Sequence, residues 1–159
     1  MGRKFTASET QLKPDPRFGD KVLARFINCI MQDGKKAVAQ RVVYNALDEV
    51  MKKMDGEEVT ALEVFHQALE NVRPNVEVRS RRVGGTNYQV PMQVSRKRQQ
   101  SLAFRWIISS ARSDRGRPMH LRLAKELTDA YNKEGKAMNT RDQTHRMAEA
   151  NKAFAHFAW

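Results

Sequence analysis

The stretch VEVRSRRVGGTNYQVPMQV, residues 76–94, decides the architecture. Within it Val76 and Val78 alternate with charged residues, and Tyr88, Val90, Met92 and Val94 alternate with polar residues or Pro91. A period of two is the period of a strand. Two such runs joined by Gly84 and Gly85 read as a β-hairpin, because glycine accepts the left-handed backbone of a tight hairpin turn. Pro91 sits near the end of the second run, where an edge strand tolerates a missing N–H. A lone hairpin is only marginally stable in water. Its base, with Val76, Val78, Tyr88 and Val90, is therefore expected to pack on other elements while its tip projects.

The period on either side is close to 3.6. Before the hairpin, the prolines in Leu12-Lys13-Pro14-Asp15-Pro16 hold the chain extended. Asp20 caps a first helix with apolar rows Val22, Phe26, Ile30 and Leu23, Ile27, Met31, stopped by Asp33-Gly34. Lys35 and Lys36 open a second, which buries Ala39, Val42, Val43, Ala46, Leu47 and Val50. Thr60 and Glu63 form a capping box for a third, closed by Arg73-Pro74. After the hairpin a fourth helix runs from about Ser95 to Arg112, and Pro118 starts a fifth that Gly135 ends. Thr140 with Gln143 reads as a capping box for a sixth, with Met147, Ala150, Phe154 and Phe157 turned inward. The expectation is a mainly α fold: a bundle of about six helices with one protruding β-hairpin arm between the third and fourth. It forms a single domain over residues 1–159, with 1–19 a basic extended N-terminal arm and 74–94 the hairpin arm.

Charge gives this scaffold a purpose. The 159 residues carry 29 Lys+Arg against 18 Asp+Glu, a net charge of +11, which points to a polyanionic partner. The surplus is not even. Residues 42–72 hold two basic and seven acidic side chains, while residues 73–98 hold seven basic and one acidic. Such asymmetry suggests one face toward phosphate and another toward water or protein.

The candidate phosphate contacts follow from that distribution. Arg79, Arg81 and Arg82 crowd a glycine turn, where planar guanidinium forks match phosphate and Gly84 and Gly85 allow close approach. Arg98, Arg105 and Arg112 are seven apart and share one helical face; no acid occurs from Met92 to Ser113, so plain solvation is the weaker reading. Arg96 and Lys97 carry this surface toward the hairpin base. Lys35 and Lys36 sit at a helix start, where free N–H groups also meet anions. Arg3, Lys4, Lys13 and Arg17 on the N-terminal arm, and Arg115 and Arg117 in the loop after the fourth helix, complete the set.

Other chemistries find little support. A nucleotide loop would need glycine and Ser or Thr where Cys29 and Ala37 stand. His66, His120, His145 and His156 have no zinc-type spacing, so no metal and no cofactor is expected. Cys29, on an apolar helix, is read as packed and inert, and Trp106 as core. No nucleophile is assembled with a base, and no small-molecule substrate is implied. A single cysteine fits a reducing cytosol, and no run is apolar enough for a membrane span. Met1 to Thr6 matches a loose myristoylation pattern, for which a basic N-terminal arm is the plainer account. The competing readings are a DNA-bending protein whose basic arm enters a minor groove, and an enzyme acting on RNA.

Three blocks carry a family likeness: DPRFGDKVLARFINCIMQDGKKAVAQRVVYNAL from Asp15 to Leu47, ALENVRPNVEVRSRRVGGTNYQVP from Ala68 to Pro91, and HRMAEANKAFAH from His145 to His156. In order and spacing they resemble the family of small-subunit ribosomal protein seven, of bacterial or organellar type. The resemblance implies a helical protein with a hairpin arm that binds the 3′ major domain of small-subunit ribosomal RNA early and nucleates head assembly. It implies a place near exit-site transfer RNA and the messenger path, with Arg81, Arg82, Gly84 and Gly85 at the arm tip facing them. It implies contact with ribosomal proteins nine and eleven, and a cytoplasmic small ribosomal subunit, the organellar type being the alternative. The likeness puts RNA binding on Lys35, Lys36, the Arg79 to Arg82 cluster and the fourth helix. The segment from Gly2 to Gln11 is less basic than in many relatives, and the chain ends at Trp159 without the tail that some carry.

Overall fold

A computed structural model describes residues 12–54 and 58–158. Among the described residues six α-helices, α1 (Lys21–Ile30), α2 (Lys36–Lys53), α3 (Ala61–Val72), α4 (Arg96–Ser113), α5 (Met119–Tyr131) and α6 (Gly135–Ala150), are followed by a 3-10 turn over Lys152–Phe157. Strands β1 (Val76–Val83) and β2 (Thr86–Gln93) form an antiparallel hairpin between α3 and α4. The expected bundle and arm are both present. The N-terminal arm residues 1–11, with Arg3 and Lys4, lie outside the described residues, as does Trp159.

The caps read from sequence hold for the first helices. Asp20 accepts the Leu23 N–H at 2.6 Å, and Thr60 and Glu63 complete a reciprocal capping box. The core joins the helices through aromatic edges: Phe26 of α1 meets Phe65 of α3 and Phe104 of α4, each at 5.3 Å between centroids. All three rings are fully buried, each contributing roughly 1.5–3 kcal/mol by area alone. α5 supplies Leu123 and Leu127 to the same core. Upstream of α1, the buried carboxylate of Asp15 accepts the N–H groups of Arg17 and Phe18 and the Tyr44 hydroxyl at 2.6 Å. The Tyr44 pKa is pushed up to about 12, by burial first and by Asp15 second.

The sixth helix differs from its expected form. It begins at Gly135, five residues before Thr140, whose hydroxyl instead donates to the Lys136 carbonyl within the helix. The true cap comes from α5: the buried Glu126 carboxylate accepts the Ala137 N–H at 2.7 Å. Gly135 has φ +92°, and an added Cβ would lie 3.0 Å from Asp129 Cβ, so glycine is required there to start this helix rather than to end the last. The inward residues are Ala137, Met138 and Ala148; Met147 and Ala150 are exposed. Phe154 and Phe157 are half-buried and face the hairpin rather than the core.

Candidate nucleic-acid interface

The arm turns on two residues. Gly84 and Gly85 both have positive φ, +57° and +86°, the geometry of a turn whose twist matches the strands. The ladder pairs Val83 with Thr86 and, at the root, Val76 with Gln93. Directly paired residues share a face, so Glu77, Arg79, Arg81, Tyr88, Val90 and Met92 lie on one side. Val76, Val78, Ser80, Arg82 and Pro91 lie on the other. The expectation that Val76 and Val78 bury with Tyr88 and Val90 is thus corrected. Val90 is fully buried, whereas the two valines are half-buried on the opposite face.

Glu77, absent from the expected contacts, organises the root of the arm. Nearly buried, it accepts the Nε of Arg79 at 2.6 Å and, with its other oxygen, Nε and Nη2 of Arg98, both at 3.2 Å. One carboxylate therefore ties the arm to α4 and holds two guanidinium groups in fixed directions. The one acid of residues 73–98 thus stands beside the arginine cluster. Beyond it, Arg81 is half-buried opposite Tyr88, while Arg82, Gly84 and Gly85 are exposed.

The α4 stripe is likewise divided in its duties. Arg98 is engaged with Glu77; Arg112 donates to the Ile30 carbonyl at 3.1 Å, satisfying the end of α1. Arg105 between them is exposed, with no partner among the described residues. Arg105 and Arg112 line a groove of about 480 Å³ between α1 and α4, together with Ser101 and Cys29. Cys29 is exposed on α1 rather than packed in the core. Partial burial at this groove raises its thiol pKa, against the pull of Arg25.

At the end of α4 the strip meets the turn between α1 and α2. Asp33 and Gly34 both take left-handed conformations, and α2 starts at Lys36 with no side-chain cap, leaving N–H groups available to an anion. Lys35 and Lys36 are exposed, Lys35 at a loose 3.8 Å from Asp33. A second groove, about 350 Å³, brings Lys35 together with Arg112 and Arg122. Arg122 was not among the expected contacts. It donates to the carbonyls of Arg112 and Asp114 and so shapes the loop that presents Arg115 and Arg117, both exposed. Arg96 and Lys97 are exposed at the start of α4.

Arg17 is held elsewhere: its guanidinium forms two bonds to Asp48, at 3.2 and 2.6 Å, and lies 5.0 Å from the Phe18 ring. Lys13 is exposed. Two of the histidines have structural partners: His66 bonds Asp20, and His145 accepts the Asn75 N–H at 3.2 Å where the arm leaves α3. Among the described residues no group of His, Cys, Asp or Glu could hold a metal ion, and no helix is long and apolar enough to cross a membrane.

Fold and surface thus define a structural scaffold: a helical core, one β-arm, and a basic strip running from the arm root along α4 to the α1–α2 turn. Residues 2–152 match the family described as ribosomal protein S7p/S5e. Over all 159 residues, and over the full length of each relative, the chain is 59% identical to small ribosomal subunit protein uS7 of Rhodopirellula baltica. It is 53% identical, again over both full lengths, to the proteins of that name from Acidiphilium cryptum and Mesorhizobium japonicum. The chain belongs to the ribosomal protein S7p/S5e family, whose members are structural and not enzymatic.

Proposed function

We propose that the chain, a structural component of the small ribosomal subunit, is a primary binder of the 3′ major domain of its ribosomal RNA and nucleates assembly of the head. One observation carries this reading. The exposed cations of α4, the α1–α2 turn and the α4–α5 loop form a continuous strip on packed helices, the rigid footing that phosphate recognition needs. Arg96, Lys97, Arg98, Arg105, Arg112, Arg115, Arg117, Lys35 and Lys36 bear on the RNA, and Arg79 joins them at the arm root. Lys13 and Arg17 are proposed contacts on the N-terminal side, together with Arg3 and Lys4. The arm tip, with Arg81, Arg82, Gly84 and Gly85, faces exit-site transfer RNA and messenger RNA near the decoding region. Ribosomal proteins nine and eleven are its protein neighbours, in a cytoplasmic subunit.

The test is competition. At fixed salt, a folded head-domain RNA fragment should displace labelled RNA from the protein at far lower concentration than duplex DNA does. Equal displacement by the two would refute RNA recognition and favour a general phosphate binder.

A further inference from the structure

The outer half of the arm is held by something the helical bundle does not supply. At its root the arm is secured by Glu77 to Arg98 of α4, by the His145 acceptor on α6, and by buried Val90. Farther out, Tyr88 rests on the 3-10 turn Lys152–Phe157: its ring centroid is 5.1 Å from Phe154 and 5.2 Å from Phe157. The choice of a 3-10 turn is what makes this seat. With three residues per turn, side chains at i and i+3 eclipse, and Phe154 and Phe157 indeed lie nearly parallel, 10° apart. An α-helical continuation would have splayed them. Asn151 marks the change, its side chain donating to the Met147 carbonyl at 2.8 Å as α6 ends. The turn contains no buried residue, so the arm is also what holds the turn.

We propose that the turn Lys152–Phe157 is a brace that aims the hairpin arm, with Phe154 and Phe157 as positioning residues acting through Tyr88. Root and tip are then independently secured. Anything that lifts the turn frees the tip without loosening the bundle, and a ligand that orders the tip also orders the turn. That the aimed tip serves transfer RNA rests on the ribosomal reading; the brace does not.

The experiment is amide hydrogen exchange on the full chain and on the F154A/F157A double variant. Exchange in the outer ladder, from the pair Arg81–Tyr88 to Val83–Thr86, should accelerate roughly tenfold or more, given two lost ring pairs. The root pairs and the helices should exchange as before. Y88A should reproduce the effect from the other side, and Y88F, which keeps the ring, should restore protection. Nitroxides on natural Cys29 and on T86C should report a broadened distance distribution in both alanine variants. Unchanged outer exchange in a natively folded variant overturns the brace. So does equal acceleration of root and tip, in either the double variant or Y88A, which marks general loss of structure. Failure of the natural chain to bind head-domain RNA, with outer exchange accelerated in the double variant as expected, would instead strike the proposed function and leave the brace standing.

Discussion

Raising salt should weaken RNA binding by an amount that the side-chain partners set. Fourteen of the sixteen candidate cations are in the described residues, but they are not equally available. Arg17 is committed to Asp48, Arg79 and Arg98 to Glu77, and Arg112 to a backbone carbonyl. Seven are exposed with no partner among the described residues: Lys13, Lys36, Arg82, Arg96, Arg105, Arg115 and Arg117. If each neutralises one phosphate, the slope of log K against log salt is about −6, taking roughly −0.9 per phosphate of a duplex. Going from about 50 to about 200 mM KCl, affinity should fall by almost four decades. Fluorescence anisotropy of a labelled head-domain RNA fragment measures this directly. Arg105→Ala should make the slope shallower by about one. A wild-type slope shallower than about −3, or no change with Arg105→Ala, would show that the strip is not the interface.

Arg105→Glu should weaken RNA binding with the melting temperature unchanged, because nothing in the fold depends on that side chain. Arg112→Ala should weaken binding and also cost about 1 kcal/mol of stability, since it strands the Ile30 carbonyl; thermal melts separate the two. Glu126→Gln keeps an acceptor for Ala137 and removes a carboxylate whose pKa burial raises, so at neutral pH it should melt no lower than wild type. Glu126→Ala should lose about 1–3 kcal/mol, and equal melts for these two variants would dismiss the cap. His145 has its pKa lowered, by burial first and Arg141 second, so the folded state favours the neutral ring that accepts from Asn75. The stability it adds is present above the ordinary value of 6.5 and is lost as pH falls through its lower folded value; His145→Ala should flatten urea midpoints across that acidic window.

Most of the fold was legible because its signals are local. The caps at Asp20 and Thr60, the glycine pair at the arm turn and the change of period at Val76 each depend on neighbours within a few residues. What escaped depends on distant ones. The start of α6 is set by Glu126, on the preceding helix, so a chance Thr140–Gln143 spacing looked like the better cap. The faces of the arm follow from its two-residue turn, which pairs even positions with odd ones. Val78 and Val90, both even, therefore cannot share a face. At the interface, the type and place of the cations were readable, but their availability was not: Glu77 is 21 residues from Arg98 in sequence, and Arg112 is 82 from Ile30. Counting acids within one helix could not find either partner.

The two-residue turn also makes the arm a ruler with coarse graduations. Each strand is eight residues long, a reach of about 26 Å at roughly 3.3 Å per residue. Lengthening each strand by one residue would advance the tip about 3 Å but turn Arg81 and Arg82 to exchanged faces. Only the addition of two residues to each strand keeps every tip side chain on its side, at a step of almost 7 Å. Small corrections in reach are closed to this arm by insertion, so fine adjustment falls to the angle at which it leaves the bundle.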